Sequence, residues 1–415
     1  MQYREAGELT VKEQMDILRR GCAEIVSEED LERKLKQSMK TKRALRVKLG
    51  LDPSAPDIHL GHAVVLRKMR EFQELGHEVF LVVGDFTGSI GDPSGKSQTR
   101  PQLSREEIMR NAKTYQEQAF KILDPNRTHT RFNGEWLSKL NFRDVINLAS
   151  KYTVARMLER EEFRHRFYQE KPIYIHEFFY PFMQAYDSIN LNIDVELGGT
   201  DQKFNILFGR TLQREFNQEP QVAVLMPILV GIDGVKKMSK SLDNYIGVTE
   251  DPGGSYGKVM SISDDVMMTY FELTTRLPED EIEDIRNALT SGRLHPRDAK
   301  RRLAREIITL YHSHEAALEA EEGFDTVFRE GGLPENIPDV LVPADQVVEG
   351  KIWPPKLLVI SGLANSNSEA RRLIQQGGVT VDGAKIQDPE RDIPVHSGMI
   401  IKVGKRRFVK IQIGL

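Results

Sequence analysis

Cysteine is almost absent from this chain, because Cys22 is the only one among 415 residues. One thiol cannot form an internal disulfide, so a fold held together by disulfides is excluded, and a reducing cytoplasm is the expected location. The surrounding stretch "RRGCAEIV" favours a small buried side chain over a catalytic nucleophile.

The chain also lacks any apolar run of the roughly 18 residues that a membrane-spanning helix requires. Its start, "MQYREAGELTVKEQ", is polar and mixed in charge, unlike a signal peptide. We therefore expect a cytoplasmic protein with no membrane partner.

Length and composition describe an ordinary globular protein with two or three domains, since hydrophobic residues make up 39% and charged residues 29%.

The net charge of −4 is unevenly distributed. Residues 351–415 hold 11 Lys+Arg and 5 Asp+Glu, an excess of six positive charges, which leaves the rest of the chain at −10. A basic tail on an acidic body suggests a polyanionic partner, although chance asymmetry explains the charge equally well.

Strand and helix patterns alternate in the first half of the chain. "RVKLGLD" (46–52) and "HEVFLVVGDF" (77–86) are typical of buried strands. Between them, Val65, Met69 and Phe72 share one face of a helix that Gly76 terminates. Strand, helix and strand in this order predict a parallel βαβ unit, and "VAVLMPILV" (222–230) adds another buried strand. The predicted fold class is α/β with a Rossmann-like doubly wound parallel sheet, which binds ligands at the carboxyl ends of its strands.

Changes in composition divide the chain into five parts. They are an N-terminal helical extension (1–45), a Rossmann-like domain (46–248), a charged helical domain (249–330), a Gly- and Pro-rich linker (331–352) and a small basic α+β module (353–415).

The first chemically informative stretch is "DPSAPDIHLGH" (52–62), which joins a strand to a helix. His59, Gly61 and His62 fall at the first turn of that helix, where free N–H groups and the helix dipole favour anions. Gly61 allows a flat ligand to approach the backbone. The stretch therefore suggests a nucleotide site. Two histidines can also bind zinc, although no nearby Cys or Glu completes a ligand set, and they can be purely structural.

A second stretch, "GIDGVKKMSKSLDN" (231–244), follows the buried strand at 222–230. It is either a solvated charged loop or a mobile cationic loop that closes on a triphosphate. In the second interpretation, Lys237 and Lys240 stabilise the departing pyrophosphate.

Together, "HLGH" and "KMSKS" (237–241) resemble the paired signatures of class I aminoacyl-tRNA synthetases. The resemblance implies that the chain uses ATP and Mg2+ to form an aminoacyl-adenylate and then transfers the acyl group to tRNA. We expect ATP oxygens to hold most of the Mg2+ coordination, and no protein metal ligand is assigned.

The stretch "EFFYPFMQAYDSI" (177–189) bears on which amino acid is activated. Tyr180, Gln184 and Asp187 fall on one helical face, and the aromatic residues around them predict a buried helix, where polar groups need partners. Such a stripe can bind an ammonium and accept a proton from a phenol.

This stretch resembles bacterial tyrosyl-tRNA synthetases, as do "GSIGDPSGKSQTR" (88–100) and "ELGGTDQKFN" (196–205). The resemblance implies that Asp187 accepts the substrate phenol, whereas Tyr180, Gln184 and Asp92 hold the α-amino group. The complete set of implied residues is as follows: catalytic, His59, His62, Lys96, Arg100, Lys237 and Lys240; tyrosine-binding, Asp92, Tyr180, Gln184, Asp187 and Gln202; nucleotide-binding, Asp52, Ser54, Gly61, Gly199, Asp201 and Met238.

The chain departs from that family at two positions. Where many members have a tyrosine that helps to bind the phenol, this chain has Lys48. At the next position, where some members have a cysteine, it has Leu49, which cannot hydrogen-bond to a ribose. The lysine either leaves Asp187 without its usual second partner or places an ammonium near it, as in a variant branch that carries "KLG".

The tail, "KLLVISGLANSNSEARRLIQQGGVTVDGAKI" (356–386), predicts two helices and a hairpin with "DG" at its turn. It resembles the small RNA-binding fold of a ribosomal small-subunit protein, which implies tRNA binding through residues such as Arg371 and Arg372. A basic tail used only for packing is the alternative.

The leading hypothesis is therefore a tyrosine–tRNA ligase with L-tyrosine, ATP and tRNA(Tyr) as partners, working as a homodimer by family resemblance alone. Two alternatives remain open, a tryptophanyl-tRNA synthetase and a non-catalytic RNA-binding relative.

Overall fold

The computed structural model describes residues 9–53, 57–94, 104–329, 337–404 and 407–414. The chain divides into two compact units. One comprises Met1–Asp251 and Lys258–Ser313, and the other comprises Pro252–Gly257 and His314–Leu415. Within the described ranges, no helix is both long enough and apolar enough to cross a membrane.

A six-stranded sheet organises the first unit, with the order β1-β6-β5-β2-β3-β4. Its strands are β1 (Glu24–Val26), β2 (Arg46–Leu51), β3 (Glu78–Val83), β4 (Thr128–Phe132), β5 (Val195–Gly199) and β6 (Val222–Met226). Strands β2 to β6 pair in parallel, and β1 pairs antiparallel with β6. The predicted Rossmann-like sheet is confirmed, and a strand from the N-terminal extension completes it.

The strand order reverses at β2, which lies between β3 on one side and β5 on the other. In an open α/β sheet, such a switch point leaves a crevice at the carboxyl ends of the two diverging strands. Asp52 follows β2 directly, and Gly199 ends β5. Both predicted nucleotide-side residues therefore lie where the topology opens the sheet.

Helices surround this sheet. Before residue 252 they are α1 (Val11–Arg19), α2 (Glu28–Thr41), α3 (Leu60–Glu74), α4 (Thr87–Ile90), α5 (Arg105–Ala119), α6 (Gly134–Leu137), α7 (Phe142–Ala149), α8 (Val154–Met157), α9 (Glu161–Tyr168), α10 (Ile175–Leu191) and α11 (Lys203–Glu215). On α3, Val65, Met69 and Phe72 are buried as predicted, and Gly76 follows with a φ of 89°. Burial raises the pKa of Cys22 to about 11, so this thiol is protonated at neutral pH.

The predicted charged helical region is confirmed as α12 (Pro252–Ser261), α13 (Asp264–Thr274), α14 (Glu279–Thr290), α15 (Pro296–Tyr311) and α16 (His314–Arg329). The structure groups these helices differently from the sequence division at 249–330. Helices α13 to α15 belong to the first unit, whereas α16 belongs to the second. Charge and helical period do not reveal which core a helix joins.

The C-terminal module contains α17 (Pro354–Ile360), α18 (Asn367–Gln375), β7 (Asp339–Val342), β8 (Lys351–Ile352), β9 (Val379–Val381), β10 (Ala384–Lys385), β11 (Ile393–Pro394), β12 (Ile400–Val403) and β13 (Arg407–Ile413). Asp382 and Gly383 form the predicted hairpin turn with φ values of 46° and 80°. The range 331–352, assigned to a linker, contains β7 and β8. Strand β7 pairs in parallel with β13, so part of that range is built into the C-terminal sheet.

Candidate active site

The "HLGH" segment begins helix α3, with His59 at the N-cap. The rings of His59 and His62 stack with centroids 3.9 Å apart, and the backbone N–H of His59 donates to Nδ1 of His62 at 3.3 Å. A Cβ added to Gly61 would meet the His59 ring at 3.0 Å and the Met238 side chain at 3.7 Å. Glycine at this position therefore leaves room for the His59 imidazole.

Both imidazoles are uncharged at neutral pH. Burial, together with His62 and the lysines 240 and 237, lowers the pKa of His59 to about 2. Burial and the same two lysines lower the pKa of His62 to about 4. Each ring therefore offers one N–H donor and one acceptor instead of a positive charge. Positive charge in this part of the site comes from the lysines.

The "KMSKS" loop lies directly against these histidines. Residues 246–248 pair with residues 58–60 through hydrogen bonds from Leu60 N to Ile246 O at 2.9 Å and from Val248 N to Ile58 O at 3.0 Å. Lys240 Nζ lies 3.4 Å from a carboxylate oxygen of Asp57. Main-chain pairing thus places the loop's lysines beside the α3 N-terminus, although roughly 175 residues separate the two motifs in sequence.

Lys237 connects the loop to the end of β5. Its Nζ lies 3.3 Å from Oδ2 of Asp201, one of the residues predicted to bind the nucleotide. Met238 is buried, and its N–H donates to Leu229 O at 2.9 Å. Lys237, Met238 and Asp201, which were assigned to ATP from the sequence, therefore lie together.

A buried amide that the sequence interpretation missed holds this loop in shape. Asn244 Oδ1 accepts from Ser239 N at 2.8 Å, and its Nδ2 donates to Asp233 Oδ2 at 2.9 Å and to Lys237 O at 3.1 Å. A Cβ on Gly231 would meet the Asn244 side chain at 2.3 Å, so glycine is required there. A serine- and lysine-rich loop gives no sequence sign of this role.

Helix α10 carries its polar stripe onto the carboxyl ends of the strands. Tyr180 Oη donates to Asp52 Oδ2 at 2.8 Å, and Thr87 Oγ1 donates to Asp52 Oδ1 at 2.7 Å. A Cβ on Gly84 would lie 2.0 Å from Asp52 Oδ1, so only glycine lets β3 end this close to the carboxylate. Tyr180 and Asp52, assigned to different substrates, are thus direct neighbours.

Asp187 lies buried on the same helix. Trp136 Nε1 donates to its Oδ1 at 2.8 Å, and Asn133 Nδ2 donates to its Oδ2 at 3.3 Å. Burial raises the pKa of Asp187 to about 7, against the opposing effects of Lys48, Trp136 and Asn133. Trp136 and Asn133 were not predicted. One of only two tryptophans, with an indole N–H that needs a partner when buried, was the available signal.

Two residues predicted to bind tyrosine, Asp92 and Gln202, also meet. Gln202 Nε2 donates to Asp92 Oδ2 at 2.8 Å, and Ser94 N donates to Asp92 Oδ1 at 2.9 Å. The buried Arg160 guanidinium, absent from the sequence prediction, lies 3.6 Å from the same carboxylate. Three further predicted residues, Ser54, Lys96 and Arg100, lie outside the described residues.

Comparison with known proteins decides the family. A model described as tRNA synthetases class I (W and Y) matches residues 39–329. A tyrosine–tRNA ligase of Moorella thermoacetica is 59% identical over 404 residues, which cover 97% of each chain. The chain belongs to the class I tRNA synthetases of the W and Y family.

Further members of the family agree. A tyrosine–tRNA ligase of Desulfotalea psychrophila is 52% identical over 97% of this chain and 98% of its own. Among solved structures, the tyrosyl-tRNA synthetase of Archaeoglobus fulgidus in complex with L-tyrosine has a TM-score of 0.60 at 25% identity and covers 75% of this chain and 99% of its own. A second family model, the S4 domain, matches residues 355–398.

Lys48, which was expected from the sequence to lie near the substrate phenol, has a different set of neighbours in the structure. It is completely buried in β2, and its Nζ lies 3.0 Å from Glu196 Oε1 in β5. The same Nζ donates to Gln184 O at 3.0 Å and to Ser188 Oγ at 2.7 Å. The lysine is therefore engaged with α10 and β5, while Asp187 takes its hydrogen bonds from Trp136 and Asn133.

The S4 region of this family member has a compact core and basic surface residues. Arg371 stacks on the Trp353 ring at 5.0 Å and pairs with Glu390 at 2.7 Å. Arg372 is exposed on α18. Both arginines predicted to meet RNA are thus exposed, and Arg371 also makes local contacts.

Proposed function

We propose that this chain acts as a tyrosine–tRNA ligase. It activates L-tyrosine with ATP to tyrosyl-adenylate and pyrophosphate, and then transfers tyrosine to the 3′ end of tRNA(Tyr). The observation that carries the proposal is the buried Asp187 carboxylate at the end of the polar stripe on α10, in a chain 59% identical to a tyrosine–tRNA ligase.

In the first step, a carboxylate oxygen of tyrosine bonds to the α-phosphorus of ATP, and the bond to the pyrophosphate oxygen breaks. We assign His59 and His62 to the phosphate groups as neutral donors, and Lys237 and Lys240 to the charge that develops on pyrophosphate. Lys96 and Arg100 join this group by family resemblance. In the second step, a terminal ribose hydroxyl of tRNA attacks the acyl carbon, and AMP leaves.

The nucleotide occupies the side of the crevice formed by the ends of β2 and β5. Asp52, Ser54, Gly61, Gly199, Asp201 and Met238 are the proposed contacts. Mg2+ accompanies ATP in this proposal. We assign its ligands mainly to ATP oxygens.

Tyrosine lies against α10. Asp187 accepts the phenol hydrogen, while Tyr180, Gln184 and Asp92 bind the ammonium and Gln202 lies near the carboxylate. Phenylalanine offers no hydroxyl to Asp187, so its binding would leave a buried polar group without that partner, which is costly. This difference is the proposed basis of selection against phenylalanine.

We further propose that the chain works as a homodimer. Seven large hydrophobic side chains are exposed within residues 142–175: Phe142, Ile146, Val154, Phe167, Tyr168, Tyr174 and Ile175. Such a concentration is typical of a protein interface. Light scattering of the full chain should then give a mass twice 47.4 kDa, and a monomer at working concentration would refute this part of the proposal.

The S4 domain is the proposed contact for tRNA, through its excess of positive charge. Because β7 pairs with β13, a clean truncation removes residues 337–415 and not 351–415. That truncation should preserve adenylate formation and weaken tRNA charging. Equal loss of both steps would contradict this division of labour.

Amino-acid-dependent exchange of pyrophosphate into ATP, measured with each of the twenty amino acids, tests the central proposal. Tyrosine alone should stimulate exchange. Stimulation by tryptophan would assign the chain to the other specificity of its family, and no stimulation by any amino acid would indicate a non-catalytic relative.

A further inference from the structure

A buried ion pair lies under helix α10, beside the proposed tyrosine site. Lys48 and Glu196 face each other in register on the adjacent strands β2 and β5, and their side chains are 0% and 1% exposed. Burying two charges is favourable only when further hydrogen bonds satisfy both groups. The partners of this pair therefore show what it does.

The ammonium of Lys48 uses all its hydrogen bonds within this cluster. Besides Glu196, it donates to the main-chain oxygen of Gln184 at 3.0 Å and to Ser188 Oγ at 2.7 Å. An ammonium has three donors, so none remains for a substrate. Lys48 thus attaches β2 to the middle of α10, in the turn that carries Gln184.

The carboxylate of Glu196 faces the same turn. Its Oε1 accepts from Gln184 Nε2 at 3.0 Å, and its Oε2 accepts from Ser188 Oγ at 3.1 Å and from Gln221 Nε2. An ionised carboxylate only accepts hydrogen bonds, so Gln184 must present its NH2 group to Glu196. Rotating the amide by half a turn would set two oxygens against each other.

This constraint determines what the other end of the Gln184 amide can do. With its NH2 group held by Glu196, its Oε1 is the atom left to bind a ligand, and no donor among the described residues hydrogen-bonds to it. A carbonyl oxygen accepts from an ammonium, whereas an NH2 group in its place would repel one. The orientation of the amide therefore decides whether Gln184 can bind a cation.

We propose that the Lys48–Glu196 pair is a positioning device for the α-ammonium of tyrosine, which acts by fixing the Gln184 amide with its oxygen available to that group. The inference rests on the proposed function, in which Gln184 binds the ammonium. Neither charged residue touches the substrate.

The main test removes both charges together, with Lys48→Met and Glu196→Met in one chain. Replacing a buried pair by apolar residues of similar volume usually preserves stability. Without the carboxylate the Gln184 amide rotates freely, and tyrosine should bind about tenfold more weakly. Binding of 3-(4-hydroxyphenyl)propionate, which keeps the phenol and carboxylate but lacks the ammonium, should change less than about twofold. Both dissociation constants are measured by calorimetry on the full chain.

Two further variants separate positioning from simple support of the helix. In a Gln184→Ala background, the double substitution should cause no additional loss of tyrosine affinity, because the effect passes through Gln184. Glu196→Gln keeps an acceptor oxygen beside Lys48 and Gln184, and should retain tyrosine affinity to within about threefold of the unmodified chain.

A matched control is available on the same helix. Arg166 and Glu177 form another buried pair, with 2.8 Å between Nη1 and Oε1, and Glu177 is on α10. Glu177→Gln should leave the ratio of the two dissociation constants unchanged. If the double variant does not fold, Lys48→Met with Glu196→Gln takes its place, because an amide at position 196 can still hydrogen-bond to Gln184. The loss of tyrosine affinity should then be smaller than in the double methionine variant, and binding of the propionate should not change.

The outcomes are distinct. An equal loss for both ligands, no loss for either, or a further loss in the Gln184→Ala background would overturn the inference while leaving the proposed function intact. An unmodified chain that binds neither ligand would refute the proposed function, and the inference with it.

Discussion

The site has two sides that differ in how their polar groups are satisfied. The proposed tyrosine side comprises Asp187, Trp136, Asn133, Lys48 and Glu196, which are buried and hydrogen-bonded to protein partners. The proposed phosphate side comprises His59, His62, Lys237 and Lys240. There, in the described part of the chain, His59 Nδ1 is buried without a hydrogen-bond partner, whereas Lys240 Nζ lies 3.4 Å from Asp57 and Lys237 Nζ lies 3.3 Å from Asp201.

This difference indicates that the two sides do different work. A recognition site gains from donors and acceptors that are fixed before the ligand arrives, because the ligand then loses little free energy in ordering them. A site that stabilises developing phosphate charge gains from donors and cations whose partner is the reacting group itself. The proposed tyrosine side is mostly satisfied by protein partners, whereas the proposed phosphate side keeps an unpaired imidazole nitrogen and two partly exposed lysines that can meet phosphate.

The largest effect should follow removal of a phosphate-side group. Lys240→Ala and His59→Ala should each slow adenylate formation by about 10²–10³-fold, with tyrosine affinity nearly unchanged, because these groups act on charge that appears only in the reaction. Single-turnover kinetics and tyrosine titration measure the two quantities. Lys236→Ala, an exposed lysine of the same loop, is the control. A comparable loss of tyrosine affinity in Lys240→Ala would erase the distinction between the two sides.

The next effect should come from the tyrosine side. Asp187→Asn keeps the shape of the side chain but removes the charge that strengthens its hydrogen bond to the phenol. Tyrosine binding should weaken by roughly 10–100-fold, whereas phenylalanine binding should stay the same. Equilibrium titration with both amino acids checks this. Parallel weakening of the two would show that Asp187 supports the pocket without recognising the hydroxyl.

A smaller effect concerns pH. Burial raises the pKa of Asp187 to about 7, so part of the free protein carries a protonated Asp187 at neutral pH. Because the phenol donor prefers the ionised carboxylate, binding below that pKa must release a proton. Tyrosine affinity should therefore rise with pH by up to about tenfold per unit until the pKa is passed, and then level off. In Asp187→Asn the profile should be flat; a slope that persists there would assign the ionisation to another group.

The smallest effect should follow a change in the support of the "KMSKS" loop. Asn244→Ala removes the amide that bonds to Ser239 N, Asp233 and Lys237 O. Adenylate formation should slow by about fivefold, because the lysines remain but their backbone is less well fixed. The single-turnover rate is the readout. A loss as large as that of Lys240→Ala would mean that loop order, and not lysine charge, dominates the phosphate side.

The sequence predicts those candidate site residues that form a recognisable pattern within a few consecutive turns or residues. His59, Gly61 and His62 are recognisable because they lie at a predicted helix start. Tyr180, Gln184 and Asp187 are recognisable because their spacing places them on one face of a helix. The sequence interpretation missed Trp136, Asn133 and Asn244, because each acts on a residue far away in sequence or through a main-chain atom. Its grouping of α16 with the preceding helices differed from that of the structure for the same reason, since helical period does not reveal a helix's packing partners.

By itself, the sequence determined the elements, their alternation into a parallel sheet and the two motifs that identify the family, because these depend on local periodicity and on residue types at fixed spacing. Only the tertiary structure decided that residues 246–248 pair with residues 58–60, that both imidazoles are neutral, and that Lys48 bonds to Glu196 and α10. Burial and contact between distant segments set the charge state and the partners of a side chain, and neither can be read from its neighbours along the chain.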